Sequence, residues 1–303
     1  MRVTARRLQV SPSLLLVLTT LFWSGNFVLG RAVREVFSPL TLSFWRWATA
    51  LVLLLPFALP PLRAHGPVLR RHWKSLTLLS VLGVVNFNTF AYLGLQSTMA
   101  TNAVLMLSIT PVVIVALSFL LLRQRISGRQ ALGIAISLLG VLVIVARGDW
   151  HTLLGLRLNP GDLWVLAAVL SWALYSVCLR WRPADLPPLA FLAATMGIGV
   201  PLLLPLYLWD VARGATLIIG PVTLASIAYV AIFPSILAYV FWNRAVAELG
   251  ANRAGQFLHL MPAFGAIQSM IFLGERLYSF HIAGITLIAV GIYLATLACR
   301  QPG

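Results

Sequence analysis

The sequence predicts an all-α membrane protein with ten transmembrane helices, arranged as two five-helix halves of opposite orientation. Three observations lead there. Hydrophobic residues make up 60% of the 303-residue chain and charged residues only 10%, against roughly 45–50% and 25% in soluble domains. The mean hydropathy is +0.93, so there are too few polar side chains to clothe a soluble core. The apolar residues also fall into ten runs, each near the ~20 residues a spanning helix needs. Finally, the unit of five runs occurs twice.

The first run, 12–31, follows Arg2, Arg6 and Arg7 and has no small-residue cleavage pattern behind it. It reads as a retained span, not a removed leader. The second, 39–59, is closed by Pro60-Pro61, and 73–96 and 100–122 follow; Ser127-Gly128 opens the fifth, 128–146. Asn159-Pro160-Gly161 starts the second set at 161–181. Pro187-Pro188 precedes 188–208, Gly220-Pro221 opens 220–247, and 250–273 and 279–298 complete it. Gly and Pro mark these boundaries because neither continues a helix cheaply. The polar stretches 62–72 and 147–159 are too short to fold as domains, so any chemistry belongs inside or between the helices.

A net charge of +15 suggests nucleic acid only until the basic residues are located. They lie singly in short loops, with no basic helix or aromatic platform, so no nucleic-acid partner is expected. With the N-terminus inside, the inner side collects about fifteen Lys and Arg and the outer side about six, which is the topogenic pattern. Arg63, Arg70, Arg71, Lys74, Arg123, Arg125 and Arg129 fall inside; Arg31, Arg34, Arg147, Arg157, Arg213 and Arg276 fall outside. Both termini are therefore expected in the cytoplasm. Cys178 and Cys299 lie far apart in apolar runs, which offers neither a disulfide framework nor a metal site. No cofactor or metal is expected.

The repeat is carried by particular residues. Trp23, Arg31 and Pro39 recur at Trp172, Arg180 and Pro188 with one constant offset. Ala100, Ala103, Leu107, Pro111, Leu122, Arg125, Gly133 and Gly140 recur at Ala251, Ala254, Leu258, Pro262, Leu273, Arg276, Gly284 and Gly291, with an offset two residues longer. The two halves are 12–146 and 161–298. Because five is odd, the second half enters the membrane from the opposite side. Matching helices then run antiparallel about an axis in the membrane plane, an architecture that secondary transporters use for alternating access around a midplane site.

At these residues a family resemblance is visible. Leu21-Phe22-Trp23-Ser24-Gly25-Asn26-Phe27-Val28 resembles the opening of the EamA family of the drug/metabolite transporter superfamily. Trp172-Ala173-Leu174-Tyr175-Ser176-Val177, Ala238-Tyr239-Val240-Phe241-Trp242-Asn243 and the stretch from Pro262 to Leu277 resemble its second half. The resemblance runs from Leu14 to Leu297, and within the family the chain is most similar to YddG-type exporters of aromatic and other neutral amino acids. It implies a ten-helix carrier of small metabolites in the bacterial inner membrane. One departure is Gln124, where the family usually has glutamate.

Polar groups are costly in hydrocarbon, so those within the runs are the candidate site. Asn26, Asn86, Asn88, Asn243, Gln256 and His259 supply amides and one imidazole. Trp23, Tyr92, Trp172, Tyr175 and Tyr239, with Met106, supply rings and a soft surface, and several share a face at helical spacing. Such a lining suits a neutral or zwitterionic molecule. Arg46 either meets a substrate carboxylate or anchors its helix against Trp45 or Trp47, the second reading being favoured. The seven acidic residues all fall at loops or helix ends, leaving His259 as the sole embedded group able to relay protons. Pro111 and Pro262, at matching places, are candidate hinges because each removes a backbone donor.

The expected function is secondary transport of a small-molecule substrate, an amino acid above all, by a chain able to act as a monomer in the lipid bilayer. Another carrier substrate, such as a drug-like cation, nucleoside or sugar derivative, is the alternative. An enzyme is disfavoured because no Ser–His, paired-Asp or His-Glu-x-x-His constellation is present. A channel is disfavoured because no ring of like charges lines a pore.

Overall fold

The computed structural model describes residues 10–32, 38–98, 100–149, 151, 155, 159–274, 276 and 278–297. Arg2, Arg6, Arg7, Arg34, Arg157 and Arg300, which entered the charge count above, lie outside them, as do Cys299, Glu35 and Glu275. Among the described residues the long helical runs, in chain order, are α1 Pro12–Ala32 and α2 Pro39–Ala64, then α3 Trp73–Ser97. In α4, Ala100–Ser108 and Thr110–Leu122 form two pieces; α5 is Gly128–Val145, α6 is Pro160–Trp181 and α7 is Pro188–Ala212. α8 is Pro221–Leu249; α9 runs through Ala251–Gln256, Phe257–His259 and Leu260–Leu273; α10 is Ser279–Leu297. Eight runs, among them most of α4, are long and apolar enough to cross a membrane; α1 and α9 are not in that set. α9 carries Asn252, Arg253, Gln256, His259 and Gln268, which dilute its hydropathy.

Several ends follow from local chemistry. α6 begins with a capping box, in which Asn159 Oδ1 accepts from Gly161 N (2.8 Å) and Asp162 accepts from Asn159 N (2.8 Å). Asp162 also accepts from the Thr98 hydroxyl at the end of α3. Asp210, near the end of α7, accepts from the hydroxyls of Ser38 and Thr41 at the start of α2. Pro60-Pro61 does not stop α2, which continues to Ala64. Prolines this close to a helix end each forfeit an N–H bond, but the last turn is closed by His65 N donating to Pro61 O (3.1 Å).

The packing is organised by pairs. α2 lies along α7, α5 along α10, α1 against α8 and α9, and α6 against α3 and α4. Exchanging each helix for the one five places along maps this set of pairs onto itself. In the α5–α10 pair, a Cβ at Gly133 would lie 2.6 Å from Gly291 O, and one at Gly140 would lie 2.6 Å from Gly284 O. The converse additions at Gly291 and Gly284 would meet Gly133 O at 2.5 Å and Gly140 O at 2.7 Å. Rising numbers on α5 meet falling numbers on α10, so the two helices are antiparallel with backbones touching. Small residues permit such an approach in membranes.

Both α3 and α8 contain a π-helical turn, at Val81–Asn86 and Ala231–Leu237. These are corresponding helices under the same exchange. In α8 the cause includes Pro234, which has no N–H to give Val230 O; the Ser235 hydroxyl supplies that donor at 2.6 Å.

Candidate functional site

A π-turn leaves carbonyls turned out of the helix ladder, and each of the two turns is satisfied by side chains of the opposite half. At the α3 turn, the Tyr239 hydroxyl donates to Gly83 O (2.5 Å) and the Ser171 hydroxyl to Leu82 O (2.9 Å). At the α8 turn, Trp23 Nε1 (3.0 Å) and Arg46 Nη2 (3.1 Å) both donate to Pro234 O. The junction between the halves is thus built around paired breaks in regular helix, where backbone polar groups become available in an apolar interior.

Around this junction the expected rings do gather. Trp23 meets Trp172 edge-on at 4.9 Å between ring centroids, and Trp172 lies 5.0 Å from Tyr175 and 5.4 Å from Tyr239. Tyr175 donates to Asn243 Oδ1 at 2.8 Å. Trp23, Trp172, Tyr175, Tyr239 and Asn243 are all buried, so they form one packed cluster. The ring of Tyr175 also lies so close to Gly83 that an added Cβ there would be 2.6 Å away. Glycine is needed at that point of the π-turn because a ring occupies the space a side chain would take.

A second cluster surrounds Arg46, which is 2% exposed. Its Nε donates to Ser235 Oγ (2.6 Å), and its Nη1 to the Tyr92 hydroxyl (3.1 Å) and Asn26 Oδ1 (3.4 Å). The guanidinium stands 5.2 Å from the centre of the Trp47 ring. Every one of these partners is neutral, and no carboxylate pairs with Arg46 among the described residues. The anchoring anticipated for Arg46 is therefore present, to α1, α3 and α8 together.

The other candidates separate from these clusters. His259 is buried, with Nε2 3.0 Å from Ser108 O and Nδ1 2.6 Å from Ser137 Oγ. A carbonyl only accepts, so Nε2 carries the proton, and the ring ties α9 to α4 and α5. Gln256 is fully buried and neither of its amide atoms has a partner. Asn88 is buried on α3, while Asn86 is half-buried at the end of the π-turn. Met106 packs with Ala103 and Val165, apart from the main core. Pro111 follows the interruption of α4 at Ile109, and Pro262 follows the tight turn Phe257–His259 in α9. Each of the two prolines thus lies within a few residues of an irregularity in its helix.

Sequence reasoning did not name Ser235, and it noted Trp47, Trp242 and Gly83 without counting them among the candidate site residues. Trp47 and Trp242 are both fully buried; Trp47 stands 5.0 Å from Tyr239 and Trp242 stands 5.3 Å from Trp23. The available signal was adjacency, since Trp47 follows Arg46 and Trp242 precedes Asn243. Nothing in the local sequence of α3 announces a π-turn carbonyl.

Comparison with known proteins places this geometry in context. A model of the EamA-like transporter family matches residues 11–146 and 159–297. A Bacillus subtilis protein described as uncharacterized transporter YyaM is 28% identical over 93% of this chain and 92% of its own. A Streptantibioticus cattleyicolor protein described as a probable terminal-alkyne amino-acid exporter is 28% identical over 92% of this chain and 91% of its own. A Salmonella typhimurium protein described as a probable amino-acid metabolite efflux pump is 27% identical over 94% and 95%. A solved crystal structure shares the fold, with a TM-score of 0.78 at 20% identity, over 95% of this chain and 97% of that one.

Proposed function

The chain belongs to the EamA-like transporter family, and from that membership we propose that it carries a neutral or zwitterionic amino acid out of the cell by alternating access between two inverted five-span halves. The observation that carries this reading is the reciprocal seam of Gly133 with Gly291 and Gly140 with Gly284. These glycines are repeat counterparts crosswise, Gly133 of Gly284 and Gly140 of Gly291, which is what a two-fold axis lying in the membrane would produce. The exchange of π-turn partners between the halves supports the same symmetry. With both termini in the cytoplasm and the plasma membrane as the setting, the aromatic cluster lies in the cytoplasmic half of the bundle, and Asp162 and Asp210 lie at the outer end. Two of the relatives are described as exporters of amino acids or their metabolites, which favours that substrate class over sugars or cations.

The test is flux. Purified protein in liposomes should move radiolabelled neutral amino acids in preference to sugars, nucleosides and quaternary amines. A strain lacking the protein should become more sensitive to toxic amino-acid analogues. Equal movement of every compound, or of none, refutes the assignment; equal sensitivity of the two strains counts against export.

A further inference from the structure

A buried charge is stable only when something compensates it, and Arg46 is 2% exposed with neutral partners alone. The described residues hold no internal remedy, since Asp162 and Asp210 are engaged at helix ends and none of the described acidic residues lies midway along a helix. A guanidinium embedded in a membrane protein without a partner of opposite charge is by default a candidate site for something that arrives.

The molecule supplies its own control for the purely structural explanation. Both π-turns need donors for their freed carbonyls. The α3 turn is satisfied by the uncharged hydroxyls of Tyr239 and Ser171. The repeat places Thr195 opposite Arg46, and the Thr195 hydroxyl donates within its own helix, to Leu192 O at 2.9 Å. Satisfying a π-turn therefore does not require a cation. At the α8 turn, moreover, Trp23 Nε1 already donates to the carbonyl that Arg46 reaches. The positive charge is surplus to the fold.

We propose that Arg46 binds the carboxylate of the transported molecule, so that a free carboxylate is a requirement for transport; this rests on the carrier reading given above. Asn26, Tyr92, Ser235 and the Pro234 carbonyl hold the guanidinium while the site is empty. A carboxylate makes charge-assisted, two-point bonds with a guanidinium that are stronger than bonds to neutral acceptors, so it displaces them. Release of Pro234 O loosens the tie between α2 and the α8 turn. Binding is thereby linked to movement of the halves, because the ligand interacts differently with the latched and unlatched states.

The experiment uses wild-type protein in liposomes and labelled phenylalanine, leucine and threonine, with two sets of competitors. One set is the unlabelled amino acids; the other is their carboxamides and the amines that lack the carboxyl group. The amides and amines should compete roughly 10- to 100-fold more weakly, the range for bonds to a charged group. Arg46→Lys should keep the preference for a carboxylate at reduced affinity, and Arg46→Gln should abolish it. Where Arg46→Gln fails to fold, the wild-type series and Arg46→Lys still decide. Competition by amides within about twofold of the amino acids, while flux is measured, overturns this proposal and leaves the carrier reading standing. Absence of flux for any amino acid removes both.

Discussion

Substituting alanine at the glycines between α5 and α10 tests the seam on which the symmetry argument stands. At Gly140 the new Cβ would lie 2.6 Å from Gly284 O and 2.9 Å from Ile288 N. An unstrained contact needs about 3.4 Å, so the helices must part by roughly 0.8 Å. The obstruction is backbone, which cannot swing aside, and overpacking of this kind costs about 1–3 kcal/mol. Alanine gains up to about 1 kcal/mol over glycine in helix propensity, which leaves a net loss of about 2 kcal/mol near the upper end of that range. Gly197, inside α7 with nothing within 4 Å of an added Cβ, shows the propensity gain alone. Unfolding in mixed micelles under a dodecyl sulfate titration, followed by tryptophan fluorescence, measures each variant. Gly133→Ala and Gly284→Ala, repeat counterparts, should cost the same within about 0.5 kcal/mol. The facing pair Gly133→Ala with Gly291→Ala should cost clearly less than the sum, because one separation relieves both clashes. Seam variants no worse than Gly197→Ala, or strictly additive facing pairs, would refute the reasoning.

Three further outcomes are expected. Gly83→Ala forces the Tyr175 ring out of its place, so transport should fall sharply while the purified protein still folds; Tyr175→Leu in the same chain should restore part of it, and a failure of rescue counts against the steric account. Tyr239→Phe removes the donor to Gly83 O and should destabilise by about 1–3 kcal/mol, the cost of a buried carbonyl left unpaired; an unchanged unfolding midpoint would contradict it. His259→Ala should lower stability while leaving the response of flux to an imposed pH gradient unaltered, because the ring's two nitrogens are committed to Ser137 and Ser108; loss of gradient-driven accumulation in that variant would instead make His259 a proton relay.

Most of the helices were legible in the sequence through the length of an apolar run and proline or glycine at its ends, although Pro60-Pro61 misled as an end because α2 runs on to Ala64. The positions of the breaks in α4 and α9 were legible for the same reason, through Pro111 and Pro262. The π-turns were not, since an extra residue in a helical turn leaves the apolar pattern almost untouched; Pro234 alone hinted at one. The aromatic candidates converged because Trp172 and Tyr175, and Tyr239 and Asn243, are spaced to share a helix face. Arg46 was visible as an anomaly, but its partners were not. Asn26, Tyr92 and Ser235 sit on three other helices, and no spacing along one chain segment reveals a meeting of that kind. Met106 was included for its chemistry and lies elsewhere, because softness of a side chain says nothing about which face of α4 it occupies.

Contact between backbones has a consequence for how such a chain tolerates changes in length. Successive residues on a helix are turned about 100° from one another. A single residue inserted between Gly133 and Gly140, or between Gly284 and Gly291, would swing one glycine away from the partner helix and bring a bulkier neighbour into its place. Growth and shrinkage are therefore confined to other parts of the chain. The two extra residues of the second half conform to this, since they fall between Pro188 and Ala251, in a stretch that includes the α7–α8 connection and the irregular turn of α8, well clear of the zipped helices.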